Sequence, residues 1–555
     1  MKVSLFAVSA LLPSAFALWP LPTGLSVGTT ALRLGKTFDI KISIPNAPAD
    51  LVAAVSRTKG FLANDKLEAL VIDRGASSAK VVAAAKSLPS LTLSLVAIPA
   101  GGCKSLSSEA VAPIEDRVEG YTLTVPADGS GAVLKANSTL GLFRGLTTFS
   151  QLWYELEGST YTLSAPVKIS DAPVYPYRGF MLDTAGTSTA PFAVSDIKRT
   201  LDAMSWVKIN TLHWHIVDSQ SFPLVIPGYT ELSAKGAYSA AAVYTPSDIK
   251  DIVTYAAARG IDVIPEIDTP GHTSVISKAF PEHIACAEAT PWASFANEPP
   301  AGQLRLASEA TVKFTADMLK AAAALFPGQF FSTGGDEINA NCYTQDNATQ
   351  ASLASSNQTF LQALDTFTQA SHAALRSIGK SAVVWEEMVL ANPVTLANDT
   401  IVMVWISSSD VQAVADTGFR IVHSASDYFY LDCGHGGWVG DFPTGNSWCD
   451  PFKTWQHAYT FDPVANLTAA QSTLVLGGQS LLWTEQSGPE NLDSTTWPRA
   501  AATAELFWSG PGGDVQAALP RLHEEVYRFR QRGVAANALQ PHWCAVRPGV
   551  CDLTA

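Results

Sequence analysis

The spacing of apolar positions changes near residue 172. Before it, residues 38–44, 67–72 and 91–98 form short apolar stretches that predict strands, whose successive side chains alternate between two faces. Residues 76–87 are alanine-rich and predict a helix. Residues 120–126 and 132–136 flank Ala127-Asp128-Gly129-Ser130-Gly131, a hairpin signal. Residues 138–153 place Leu142, Leu146, Phe149 and Leu152 at helical spacing. Residues 18–172 therefore read as an α+β domain that supports the rest, since no cluster of catalytic residue types occurs in it.

Asp171-Ala172-Pro173-Val174-Tyr175-Pro176 is a proline-punctuated boundary. Beyond it, strand and helix patterns alternate. Strands are predicted at 179–182, 209–216, 261–267, 330–333, 382–385, 401–405, 421–424 and 480–483. Helices are predicted at 195–208, with Ser195 as N-cap, at 247–258 and at 308–326. Strands separated by helices pair in parallel, and eight of them predict a (β/α)8 TIM barrel over residues 173–555.

Composition narrows the setting. The 555 residues are 47% hydrophobic and 15% charged, which describes a globular chain of more than one core. A net charge of -14 argues against nucleic acid or an anionic membrane as partner. Lys2, the short apolar run that follows it and Ala15-Phe16-Ala17 predict a secretory signal over residues 1–17. That run is too short to span a bilayer. Sequons at Asn137, Asn347, Asn357, Asn398 and Asn466 agree with a secreted glycoprotein. In that compartment the pairs Cys544–Cys551, Cys286–Cys342 and Cys433–Cys449 are a working connectivity, with Cys103 left free; spacing alone does not fix it.

Active sites of such barrels sit at the C-terminal ends of the strands. The eight ends bring, in order, Asp183; His213, His215 and Asp218; Glu266, Asp268 and His272; and Asp336 with Glu337. They continue with Trp385 and Glu386; Trp405; Tyr428, Tyr430 and Asp432; and Trp483 with Glu485. Arg178 opens the first strand. Carboxylates ringed by tryptophans suit a sugar, whose C–H face packs on indole while acids bind its hydroxyls. Asp336 and Glu337 are neighbours and would point to opposite faces of a strand, so Gly334-Gly335 must end it for both to face a ligand. Two other classes stay open at this point. His213 and His215 share a strand face and could chelate a metal, and a carbohydrate-binding protein would need the aromatics without the acid pair.

The ordered motifs decide between them. Tyr177-Arg178-Gly179-Phe180-Met181-Leu182-Asp183, Asn210-Thr211-Leu212-His213-Trp214-His215, Pro265-Glu266-Ile267-Asp268-Thr269-Pro270-Gly271-His272, Gly334-Gly335-Asp336-Glu337 and Trp483-Thr484-Glu485 resemble the β-N-acetylhexosaminidases of glycoside hydrolase family 20, most closely secreted fungal members. The resemblance implies an exo-acting, retaining enzyme on N-acetylhexosamine-terminated oligosaccharides such as chitin oligomers or glycans. Its nucleophile is the substrate's own acetamido oxygen. It implies Glu337 as general acid, Asp336 as orienter of the acetamido group and Tyr430 as donor to its oxygen. Trp385, Trp405 and Trp483 would wall the sugar, and Arg178, Asp432 and Glu485 would hold its hydroxyls. Asp218 and His272 would relay support to the acid. A homodimer is implied as well; neither metal nor other cofactor is expected.

Overall fold

The computed structural model describes residues 17–98, 101–186, 191–440 and 443–554. The expected signal segment thus lies outside the described residues except for Ala17. Six strands, β1 (Gly24–Ile42), β2 (Lys86–Leu95), β3 (Tyr121–Val125), β4 (Ala132–Ala136), β5 (Tyr154–Leu156) and β6 (Ser159–Asp171), form one mixed sheet. Their order is β1-β2-β4-β3-β6-β5, and β1 also pairs with β6. β3 and β4 form the expected antiparallel hairpin pair, and the helix Thr139–Ser150 covers the sheet. Ser138 caps that helix by accepting from the Gly141 N–H at 2.8 Å, an arrangement worth about 1 kcal/mol.

Two local expectations differ. Residues 67–72 are irregular and turn rather than strand: the Leu67 carbonyl accepts the Glu155 N–H of β5 at 2.8 Å, but the chain then bonds to itself, with the Val71 N–H on the Ala69 carbonyl and the Arg74 N–H on the Val71 carbonyl. The predicted helix over 76–87 shortens to a single turn at Ala76–Ser78 and Ala79–Ala84, and Ser87 already lies in β2.

The barrel follows as predicted, with β7 (Tyr177–Asp183), β8 (Thr211–Val217) and β9 (Asp262–Ile267). A small β10–β11 pairing (Ile284–Ala285 with Gln303–Leu304) lies in the long loop after β9. β12 (Phe330–Gly334), β13 (Ser381–Trp385), β14 (Ile401–Val404), β15 (Arg420–His423) and β16 (Val475–Leu482) complete it. The eight parallel strands close in the order β12-β13-β14-β15-β16-β7-β8-β9. Helix Val194–Trp206 is preceded by Ala193 as its N-cap residue, not Ser195. Helix Pro246–Ala257 carries the full reciprocal cap of Thr245 and Asp248.

Buried ions join the two domains at the base of the barrel. Glu119 accepts from Arg144 Nε at 2.7 Å and from Arg178 Nη2 at 2.6 Å. Lys208 meets Asp171 at 3.0 Å, and Trp508 Nε1 donates to the same carboxylate. Trp19 packs in the barrel core and donates to the Ala501 carbonyl at 2.8 Å. The three disulfides are Cys286–Cys342, Cys433–Cys449 and Cys544–Cys551, with Cys103 free. All five sequon asparagines are exposed. Among the described residues, no helix is long and apolar enough to cross a membrane.

Candidate active site

β12 ends at Gly334, and the next residues turn sharply: φ is +64° at Gly334, +103° at Gly335 and +52° at Glu337. A Cβ at Gly334 would lie 1.9 Å from Asp268 Oδ1, and one at Gly335 would lie 2.5 Å from the Met388 thioether. Only glycine fits both the left-handed backbone and this approach. The turn points Asp336 into the barrel mouth and leaves Glu337 half-buried beside His272.

The two acids have different surroundings. Asp268 Oδ1 accepts the Gly335 N–H at 2.8 Å. Asp268 Oδ2 and Asp336 Oδ1 are buried with no other donor available to either. A proton shared across the pair satisfies both, and burial together with the Asp336 charge pushes the Asp268 carboxyl well above its usual range. Asp268 thus carries the proton and Asp336 accepts it. Glu337 Oε2 instead lies 3.5 Å from His272 Nε2. His272 Nδ1 contacts Asp218 Oδ1 at 3.0 Å. Burial opposes charging of His272, but the carboxylates of Asp218, Glu298 and Glu337 outweigh it and raise its pKa.

Aromatic rings close the other side. Trp385 ends β13, Trp405 follows β14, and Trp483 follows β16. Trp405 stacks parallel to Tyr430, with centroids 6.3 Å apart, and Trp483 lies 6.3 Å from the same tyrosine. Trp405 Nε1 donates to Glu387 Oε2 at 2.9 Å. Burial and the nearby Asp336 charge lift Glu387 to about 8. Asp432 is pushed up to about 7, chiefly by burial. Glu485 is pushed well above its usual range, by burial and by the charges of Glu298, Asp432 and Asp183. This crowd of acids suits a neutral, hydroxyl-rich ligand that can donate hydrogen bonds to each.

A family model described as "Glycosyl hydrolase family 20, catalytic domain" matches residues 175–511, and one described as "beta-acetyl hexosaminidase like" matches residues 18–152. The chain belongs to glycoside hydrolase family 20. Among curated relatives, a beta-hexosaminidase of Arthroderma benhamiae is 36% identical over 78% of this chain and 74% of that protein. A chitooligosaccharidolytic beta-N-acetylglucosaminidase of Bombyx mori is 34% identical over 96% of this chain and 89% of that protein. Among solved structures, the chitobiase of Flavobacterium johnsoniae superposes with a TM-score of 0.74 at 25% identity, over 94% of this chain and 74% of that one. As a family 20 member the chain is a glycoside hydrolase.

Within this family 20 site, Asp218, His272, Asp336, Glu337, Trp385, Trp405, Tyr430, Asp432, Trp483 and Glu485 all stand at the expected end of the barrel. Arg178 does not. It is 1% exposed at the opposite, N-terminal end of β7, bonded to Glu119 and to the carbonyls of Lys208 and Tyr175. The expectation that it holds a substrate hydroxyl is therefore corrected: it opens its strand, and only the closing residue of a barrel strand reaches the mouth.

Four further side chains belong to the cluster. Asp268 was legible at its strand end as an acid, though not as the partner of Asp336; Glu387, the residue after the Glu386 named in the sequence, was not singled out and is the partner of Trp405. Glu298 approaches His272 from a loop, 3.7 Å away. Trp448 is 66% exposed and stands edge-on to Trp405 and Tyr430, held beside the Cys433–Cys449 bridge.

The histidines proposed as chelators are otherwise engaged: His213 and His215 bond Glu266 at 3.1 and 2.6 Å and give their remaining nitrogens to Gln479 and Asp218. Among the described residues, Asp218–His272–Glu298 and Asp268–His272–Asp336 bring ligand atoms within 4.8 Å of one another. Both groups share one imidazole, which is hydrogen-bonded to Asp218 through Nδ1.

Proposed function

We propose that this enzyme removes terminal non-reducing N-acetylglucosamine or N-acetylgalactosamine from chitin oligomers or glycoconjugates, with net retention. Glu337 protonates the leaving glycosidic oxygen while the acetamido oxygen of the bound sugar attacks the anomeric carbon. The carbon–oxygen bond to the leaving group breaks as the ring of the oxazolinium closes. Asp336 accepts the acetamido N–H and balances the positive charge that develops there, and Tyr430 donates to the acetamido oxygen. Water then opens the oxazolinium, with Glu337 as base.

The observation that carries this reading is the inequality of the two acids. Burial raises the Asp336 carboxyl, but the hydrogen bond from Asp268 lowers it again, so Asp336 is the acceptor of the pair and can take a donor on the substrate. Glu337 faces outward beside an imidazole able to exchange charge with it. Trp385, Trp405 and Trp483 are assigned to the sugar face and acetamido methyl, and Asp432 and Glu485 to hydroxyls. Exposed sequons and three disulfides support export as a glycoprotein, and a homodimer is the proposed assembly.

The test compares aryl N-acetylglucosaminide, N-acetylgalactosaminide and glucoside with chitobiose. The 2-acetamido substrates are cleaved and the 2-hydroxy glucoside is not. An Asp336→Asn variant loses most of its rate, and a thiazoline that mimics the oxazoline inhibits strongly. Equal rates on the 2-hydroxy and 2-acetamido glycosides would overturn substrate assistance.

A further inference from the structure

Behind Asp218 runs a buried chain of polar contacts that the reaction as written does not use. Tyr177 OH donates to Gln479 Oε1 at 2.7 Å, which orients the Gln479 amide so that its Nε2 donates to His213 Nδ1 at 3.1 Å. His213 Nε2 therefore carries hydrogen and donates to Glu266 Oε2 at 3.1 Å. Ser332 of β12 donates to the same oxygen. Glu266 Oε1 takes His215 Nδ1 at 2.6 Å, and His215 Nε2 meets Asp218 Oδ2 at 3.0 Å. Asp218 Oδ1 then takes His272 Nδ1, and His272 Nε2 faces Glu337. His213, His215 and Glu266 are fully buried.

Taking the acid role of Glu337 as given, we propose that Glu266 and His215 are positioning residues for it. They hold Asp218 in one orientation, and through Asp218 they fix the ring and the charge of His272 against Glu337.

Geometry supplies the argument. An imidazole between two carboxylates, one on each nitrogen, has hydrogen-bond donors on both only as the cation. Burial opposes that charge, but the bonds to Asp218 and Glu266 outweigh it. Against its burial, the charge of His272 and the bonds from His215 and His272 hold Asp218 well below the usual carboxylate range. His215 is faced by Glu266 from β9, Asp218 from its own loop, Asp183 at the end of β7 and the edge of the Trp483 ring. His272 is faced by Asp218, Glu298, Asp336 and Glu337. Charges therefore alternate along the chain: Glu266 negative, His215 positive, Asp218 negative, His272 positive. The ring of His272 cannot flip without breaking its bond to Asp218, so Nε2 stays the atom that faces the acid.

Glu266→Gln removes one anion from His215, which becomes neutral near pH 7. His272 is then left as the principal counter-charge of Asp218 and keeps its proton to higher pH. The charge and ring position that His272 presents to Glu337 at 3.5 Å then depend on Asp218 alone. The alkaline limb of the kcat profile should shift by about one pH unit, with KM little changed because neither residue touches substrate. His215→Gln should move the limb in the same direction, and the double variant no further than His215→Gln alone, since both act through one link. A loss of rate that is equal at every pH, or additive shifts, would overturn the proposal.

Nitrogen-15 NMR of histidine-labelled wild-type enzyme needs no variant to fold. It should show His215 protonated on both nitrogens from about pH 5 to 8; a neutral His215 in that range would also overturn it. A Glu337→Gln enzyme that stayed active would remove the acid assignment instead, and would leave the His215 signal where it is.

Discussion

Replacing Asp268 by asparagine or by alanine separates a proton donor from a carboxylate at the same position. Asp268 accepts the Gly335 N–H through Oδ1, while its Oδ2 and the Asp336 Oδ1 are both buried without another partner. Asparagine can reproduce both contacts, with its carbonyl on Gly335 and its amide on Asp336. Alanine reproduces neither and leaves Asp336 buried without a donor. A hydrogen bond to a charged group contributes about 1.5–3 kcal/mol, so Asp268→Ala should lower kcat by about 10- to 100-fold if Asp336 loses its orientation. Asp268→Asn should keep most of the activity.

Stability adds an independent readout with a definite sign. The folded-state pKa of Asp268 lies well above its usual value because of burial and the Asp336 charge. Stability from holding that proton is fully present below about pH 4, the unfolded value, and is lost as pH rises through the folded one. Each pH unit in that window costs the wild type about 1.4 kcal/mol that the asparagine variant does not lose. The measurement is Tm at several values between pH 4 and 7, paired with kcat on an aryl N-acetylglucosaminide. Asp268→Asn should gain stability relative to wild type as pH rises. The reasoning fails if asparagine is as damaging to activity as alanine, or if the stability difference is flat across that range.

Glu337→Gln should lower kcat on poorly activated substrates such as chitobiose by about 10²- to 10⁴-fold, with a smaller loss on dinitrophenyl glycosides, whose leaving group needs no proton. Steady-state rates across a series of leaving groups check this. Arg178→Ala should destabilise the protein by about 3–5 kcal/mol, since it leaves Glu119 with one fewer guanidinium in a buried cluster. Denaturant titration measures the loss, and the KM of the folded fraction should match wild type because Arg178 stands at the far end of the barrel. N-acetylglucosaminides bearing a 6-sulfate should be cleaved increasingly poorly as pH rises through about 7, where Asp432 ionises and its carboxylate would meet the sulfate. Equal kcat/KM on sulfated and neutral aryl glycosides would remove that assignment. Removing the Cys433–Cys449 bridge should cost about 2–4 kcal/mol. It should also raise KM for oligomers more than for aryl glycosides, since Trp448 is held beside it.

The architecture was legible in the sequence because periodicity is a local property. Eight apolar runs interrupted by helical patterns leave few closed arrangements other than a parallel barrel, and the barrel in turn says which end of each run carries chemistry. Asp336, Glu337, Trp385, Trp405 and Trp483 follow from that rule alone, and Gly334-Gly335 announced the turn that lets two neighbouring acids face one ligand. Arg178 marks the limit of motif reading: it lies inside a family pattern yet opens its strand, and five residues of rise along β7 separate it from Asp183 at the mouth.

What only the tertiary structure decided is which acid is paired with which group. Asp268 reaches Asp336, Glu387 reaches Trp405 and Glu266 lies between two histidines through contacts that join residues far apart in the chain. Proton positions depend on burial and on the charges within a few ångströms, and both are set by which strands become neighbours rather than by any residue's place in the sequence. The sequence therefore supplied the carboxylates and their end of the barrel. Their division into a proton-sharing pair and an imidazole-backed acid belongs to the fold.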